Sequence, residues 1–171
     1  VCDRDTVFFT VLPVPVALAG QDMTNCGGSP VRLEGNKIQN GDEKWSLLSG
    51  PNTPVLSGAD STVALVTGVV PGNYHFTYMI SLGGCSDEDT LILTVYPSPV
   101  ASAGGDAIIC SGNSYQIMDD RAENYSSIEW TYKGPGNLTG LNTLHPIYTS
   151  GKNDTGKVIL VMKVVPLTTS I

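Results

Sequence analysis

Four cysteines, at positions 2, 26, 85 and 110, carry the most distinctive chemistry in this chain. Thiols at such spacings can bond to one another or hold a zinc ion. A zinc site needs ligands that cluster, and the chain has no Cys-x-x-Cys pair. The only histidines are His75 and His145. His75 alternates with aromatic residues and is expected to face outward, and His145 precedes a proline. Neither has a nucleophile beside it in sequence, as general-base chemistry would require. Gly-x-Ser-x-Gly, phosphate-loop and dinucleotide motifs are absent. Gly104-Gly105-Asp106 reads as a turn with no helix after it. No enzymatic activity is expected. Calcium would need six to eight oxygens, and the acidic pairs are Asp87 with Asp89 and Asp119 with Asp120. Without an Asp-x-Asp-x-Asp-Gly loop, these charges read as strand-edge solubilisers, and no cofactor or metal is assigned.

The cysteine spacing follows an internal repeat. Pro13-Val14-Pro15-Val16-Ala17-Leu18-Ala19-Gly20-Gln21-Asp22 returns as Pro97-Ser98-Pro99-Val100-Ala101-Ser102-Ala103-Gly104-Gly105-Asp106, which sets the offset at 84 residues. In the same register Cys26 meets Cys110 and Leu33 meets Ile117, while Trp45 meets Trp130 after a one-residue insertion. A partial copy stands at the front, where Cys2-Asp3-Arg4-Asp5-Thr6 and Val7 to Val11 resemble Cys85 to Thr90 and Leu91 to Val95. Three segments follow: residues 1–12 as the last strand of a preceding module, 13–97 as a complete module, and 98–171 as an incomplete second one. Their joints, Leu12-Pro13-Val14-Pro15 and Tyr96-Pro97-Ser98-Pro99, are stiffened by proline.

Each module is expected to be a β-sandwich. Short β-rich runs between Gly, Pro and Asn punctuate the chain, and helical periodicity is nearly absent. Strands are predicted at 31–33, 44–48, 62–67, 74–80 and 90–96, then at 115–118, 128–132, 146–149 and 157–165. Tyr74, Phe76 and Tyr78 share one face by period-two alternation. Pro71-Gly72-Asn73-Tyr74 has the form of a tyrosine corner, and Trp45 and Trp130 occupy the position of a core tryptophan. Cys26 and Cys85 fall in one module and are expected to form its disulfide, stabilising it by about 4 kcal/mol in the chain-entropy account. Cys2 and Cys110 would then be half-cystines with partners outside the segment. The repeat places the partner of Cys110 near position 169, where Thr169 stands. Such bonding implies an oxidising compartment.

Composition sets wider limits. Hydrophobic residues make up 41% and charged residues 15%, enough to build cores. The net charge of −7 argues against nucleic acid and against anionic membrane surfaces. No apolar run is long enough for a membrane span, and Val7 to Ala19 is broken by Pro13 and Pro15. The opening Val1-Cys2-Asp3 has no signal-peptide pattern, so the chain reads as an internal segment of something longer.

The motif Ala17-x-Ala19-Gly20-x-Asp22-x3-Cys26, repeated as Ala101-x-Ala103-Gly104-x-Asp106-x3-Cys110, resembles the PKD-like and immunoglobulin-like repeats of type IX-secreted Bacteroidetes surface proteins, SprB-like gliding-motility adhesins among them. Trp130-Thr131-Tyr132-Lys133-Gly134-Pro135-Gly136 and Thr143-Leu144-His145-Pro146-Ile147-Tyr148-Thr149 are similar to further segments of that family. The first module departs from the pattern between Trp45 and Thr67. The resemblance implies tandem immunoglobulin-like sandwiches serving as the stalk of an exported cell-surface adhesin. The implied partners are neighbouring modules, surface glycans or proteins, and the outer-membrane secretion and gliding machinery. The same bacteria O-glycosylate Asp-Ser/Thr sites, which implies acceptors at Thr6, Ser61 and Thr90. The alternative function is a carbohydrate- or protein-binding accessory module of a secreted multidomain protein, which an exposed aromatic platform on one sheet would favour.

Overall fold

The computed structural model describes residues 2–167. The chain divides into two compact units, residues 1–95 and 96–171, and every assigned element is a β-strand. In unit 1 these are β1 (Met23–Cys26), β2 (Val31–Glu34), β3 (Asp42–Ser49), β4 (Val55–Ser57), β5 (Val63–Thr67), β6 (Gly72–Leu82) and β7 (Cys85–Tyr96). They form two sheets, one ordered β2-β5-β4 and the other β1-β7-β6-β3. Neighbours three or more apart in sequence pair across the sandwich ends, which is the immunoglobulin-like Greek-key order.

Alternation builds the core. Along β6 the side chains of Tyr74, Phe76, Tyr78 and Ile80 are fully buried. Opposite them along β7 lie Leu91, Leu93 and Val95, and the second sheet supplies Leu33, Ala64 and Val66. Trp45 on β3 packs its ring 4.6 Å from that of Tyr78. The Trp45 indole N–H donates to the Thr62 carbonyl at 3.2 Å, so its polar end is satisfied in the core. The Tyr74 hydroxyl accepts the Val70 amide at 2.8 Å and also meets Asn52. The tyrosine corner expected from sequence is present. Gly35 must be glycine for packing reasons, because a Cβ there would lie 2.3 Å from the Tyr78 ring.

Unit 2 comprises β8 (Val100–Ser102), β9 (Ser114–Gln116), β10 (Arg121–Glu123), β11 (Tyr125–Lys133), β12 (Asn137–Thr139), β13 (Ile147–Thr149) and β14 (Ile159–Pro166). Its sheets are β12-β13-β9, β11-β14 and β10-β8. The first two reproduce β4-β5-β2 and β3-β6 of unit 1. Trp130 is buried and donates its indole N–H to the Thr143 carbonyl at 3.1 Å, as Trp45 does to Thr62. Its core also takes Ile117, Ile128, Leu138 and Tyr148. Residues 2–22, which include the segment read as the last strand of a preceding module, form no strand.

Two core tyrosines set an alkaline limit. The Tyr78 hydroxyl donates to the Asn36 carbonyl at 2.6 Å, and burial, reinforced by the Glu43 charge, raises its pKa. Burial likewise raises Tyr148, helped by Asp154 and Tyr132, and its hydroxyl donates to the Pro135 carbonyl at 2.6 Å. The fold favours the protonated phenols. Their contribution is complete below the ordinary tyrosine value and is lost as pH rises through the raised ones. Urea midpoints are expected to fall as pH rises above about 10. Tyr78→Phe should flatten the unit 1 part of that fall.

Candidate functional site

The repeated motif Ala17-x-Ala19-Gly20-x-Asp22 forms a strap laid along the edge of β7. It is not yet a strand, and its backbone is held largely by side chains. The Ala17 amide donates to Asp87 Oδ2 at 2.8 Å and the Ala19 amide to Asp89 Oδ2 at 2.8 Å. Three residues on, the direction of donation reverses, and the Ile92 amide donates to Asp22 Oδ1 at 2.9 Å. Asn36 grips the other side. Its Oδ1 accepts the Leu18 amide at 2.8 Å, its Nδ2 donates to the Val16 carbonyl at 2.8 Å, and its own amide donates to the Leu18 carbonyl at 3.1 Å.

The residue types follow from this geometry. Ala17 and Ala19 point inward and are buried, where larger side chains would hold the strap off the sheet. Gly20 has φ +89°, a left-handed conformation that L side chains rarely adopt. Asp87 and Asp89 alternate with Glu88 along β7, so both face the strap while Glu88 faces solvent. These carboxylates are therefore engaged with backbone amides. Hydrogen bonds from amides to ionised carboxylates are worth about 1.5–3 kcal/mol each.

The strap runs in the same direction as β7, since 17, 19 and 22 meet 87, 89 and 92 in order. This overturns the expected Cys26–Cys85 disulfide. Both cysteines are free thiols and half-buried. Cys26 ends β1, which carries the strap's course onward beside β7 past Ile92. Cys85 begins β7, seven residues before Ile92. At about 3.3 Å per residue the two lie more than about 20 Å apart, whereas a disulfide requires Cα atoms within about 7 Å. Cys2 and Cys110 are also free and are exposed, and position 169 lies outside the described residues. Denatured but unreduced protein is expected to titrate as four thiols with a chromogenic disulfide reagent. A Cys26–Cys85 linked peptide in a non-reducing digest would contradict the parallel strap.

The other sequence-predicted residues are scattered over the surface. Thr6, Ser61 and Thr90 are all exposed. The amides of Thr6 and Thr90 each donate to the preceding aspartate's Oδ1 at 2.8 Å, so these two share a local geometry. His75 is half-buried on β6. His145, taken for a plain surface residue, has a partner that sequence reasoning missed. Its Nδ1 lies 2.5 Å from Oδ1 of the buried Asp120, and its amide donates to Asp120 Oδ2 at 2.9 Å. Asp120 thus holds His145 by its ring through one oxygen and by its backbone, at φ +60°, through the other. Asp119 instead accepts the Gly105 amide at 2.8 Å. Among the described residues no three His, Cys, Asp or Glu side chains converge as a metal site would need.

No known protein family and no curated protein matches the chain. Among solved structures it is similar to the PKD domain of the KIAA 1837 protein, at 25% identity and TM-score 0.44 over 53% of this chain and 91% of that one. It is also similar to the PKD domain of human KIAA0319, at 17% identity and TM-score 0.42 over 54% and 87% of the two chains. The insect immune protein hemolin, whose structure was described with implications for homophilic adhesion, gives 14% identity and TM-score 0.46 over 88% of this chain and 46% of hemolin. The immunoglobulin-like description of unit 1 rests on its own strand order. Among the described residues no helix is long and apolar enough to cross a membrane.

Proposed function

We propose that this chain is a load-bearing stalk segment of a large exported cell-surface adhesin, made of tandem immunoglobulin-like modules and serving attachment or gliding. The observation that carries the reading is the parallel strap. Residues 17–22 enter unit 1 beside its last strand and run with it, so tension applied between the entering and leaving chain loads the three Asp–amide bonds together. Side-by-side bonds loaded in shear must break at once, whereas bonds peeled from one end break singly. The 84-residue repeat of the same motif supports an array of such modules. The adhesin assignment keeps the support of the repeated Ala-x-Ala-Gly-x-Asp and Trp segments and draws none from a disulfide. Neighbouring modules, surface glycans and the export machinery are the partners this reading entails, with Thr6, Ser61 and Thr90 as exposed acceptors for glycans.

The accessory binding-module reading looked for an aromatic platform on one sheet, and Trp45, Tyr74, Phe76 and Tyr78 are all buried. Optical-trap pulling on the whole chain tests the load-bearing role. Unit 1 stretched between handles at positions 16 and 96 should resist several-fold more force than when β3 is peeled from β6 through handles at 42 and 82. Equal forces in the two geometries would remove the mechanical basis of the proposal.

A further inference from the structure

The turn that leads into β3 answers two separate steric demands. Asn40 has φ +59°, in the left-handed region, which asparagine adopts more readily than most residues that carry a side chain. Gly41 follows it. A Cβ there would lie 2.5 Å from the Ser81 carbonyl oxygen and 2.9 Å from Ile38 Cγ2, so the approach of the turn to the end of β6 admits only glycine. Together the two demands set Asn beside Gly. Of the ten asparagines in the chain, Asn40 alone is followed by glycine.

That pair is reactive. The Cγ carbonyl of an asparagine can be reached by the next residue's backbone nitrogen through a five-membered ring. A side chain on the next residue shields that nitrogen and stiffens the backbone, and glycine does neither. Asn40 is exposed and residues 39–41 belong to no strand. Among the described residues its side-chain amide has no hydrogen-bond partner. The other asparagines are held or hindered. Asn25, Asn36, Asn52 and Asn124 donate their side-chain amides to main-chain carbonyls. Asn113 precedes the small Ser114, but its own amide donates to the Cys110 carbonyl at 3.2 Å and its carbonyl accepts the Ser150 amide at 3.1 Å. Asn73, Asn137, Asn142 and Asn153 precede Tyr74, Leu138, Thr143 and Asp154, whose side chains shield the attacking nitrogen.

We propose that Asn40 is a self-modification site, where the folded protein converts its own asparagine to aspartate and isoaspartate with water as the only co-reactant. The Gly41 amide nitrogen gives its proton to solvent and attacks Asn40 Cγ. As that bond forms, the bond from Cγ to the side-chain nitrogen breaks and ammonia leaves. Water then opens the resulting succinimide. Attack at Cγ gives aspartate, and attack at the Asn40 main-chain carbonyl gives isoaspartate, in which the chain continues through Cγ. One ammonia is lost for one water gained, and nothing is oxidised or reduced. Aspartate tolerates the left-handed region as asparagine does, so that product keeps the turn. Isoaspartate adds one atom to the main chain between Ile38, which packs on the core, and Asp42, which opens β3 opposite Ser81. Either product adds a negative charge beside Asp42 and Glu43. This stands on the turn alone and does not depend on the adhesin reading.

Peptide mapping of the intact, folded chain after incubation in warm, mildly alkaline buffer reads the outcome. The peptide that contains residue 40 should gain one mass unit and separate into two new species, one of them a substrate for an isoaspartyl methyltransferase. Conversion at Asn40 should run at least about tenfold faster than at Asn113 or any other asparagine. Asn40→Gln, which would have to close a six-membered ring, should abolish both species while circular dichroism verifies its fold. Conversion at Asn40 no faster than elsewhere in the folded chain would overturn the proposal. So would conversion seen only after unfolding in urea, or new species that persist in Asn40→Gln.

Discussion

Under constant force, unit 1 of the Asp87→Ala/Asp89→Ala variant is expected to survive about a hundredfold more briefly than the parent. The two substitutions remove the acceptors for the Ala17 and Ala19 amides and leave only Asp22 and Asn36 holding the strap. At about 1.5–3 kcal/mol per charge-assisted bond the pair could reach about 3–6 kcal/mol if additive. Adjacent sites on one element rarely are, so the expected loss is about 3 kcal/mol. If the strap detaches before the sandwich opens, nearly all of that loss appears in the unfolding rate. Unit 2, which the two substitutions leave untouched, serves as an internal control in the same molecule. Asparagine at both positions keeps an oxygen in place and should recover part of the lifetime. A lifetime unchanged by the alanine pair would mean that the strap carries no load.

Trp45→Ala should be the most damaging single substitution in unit 1, costing about 3–5 kcal/mol. That is a large part of the total stability of an ordinary domain, which is about 5–15 kcal/mol. The side chain is 1% exposed and lies against Tyr78 in the centre of the sandwich. The loss comes from the cavity more than from the indole hydrogen bond, because the Thr62 carbonyl still accepts the Gly35 amide at 2.8 Å. Trp45→Phe, which fills most of the space, should recover more than half of the cost. Trp130→Ala makes the matching cavity in unit 2, where Trp130 is equally buried. Urea unfolding followed by circular dichroism, with the remaining tryptophan as a fluorescent probe of the other unit, would separate the two transitions. A Trp45→Ala effect below about 1 kcal/mol would remove Trp45 as the centre of the core.

The tryptophans, the tyrosine corner and the longer strands were legible in the sequence because each depends on neighbours a few residues away. Period-two alternation along Tyr74, Phe76 and Tyr78 needs no knowledge of the partner sheet. The strands that sequence reading passed over, β1, β4, β8, β10 and β12, are three or four residues long, where alternation is a weak signal, although the equally short β2, β9 and β13 were legible. The strap was missed for a different reason. Its bonds join residues 70 positions apart and use carboxylates that, read locally, look like edge solubilisers. One signal was present: Ala17-x-Ala19 and Asp87-x-Asp89 share a spacing of two, as facing rows along parallel chains must.

The disulfide expectation failed because the repeat says which module a cysteine belongs to and nothing about which end of it. Membership of one module does not place two cysteines side by side. In an antiparallel arrangement of these two segments the same spacing would have brought the thiols together.

That separation of Cys26 from Cys85 changes what oxidation can do to this protein. A staple needs both ends within reach of each other, and Cys26 and Cys85 lie at opposite ends of the sheet edge they share. Mild oxidants should therefore leave the melting temperature of the monomer where it was and build covalent ladders on a non-reducing gel instead. Oxidation through the exposed Cys2 and Cys110 would then join copies rather than harden any one of them.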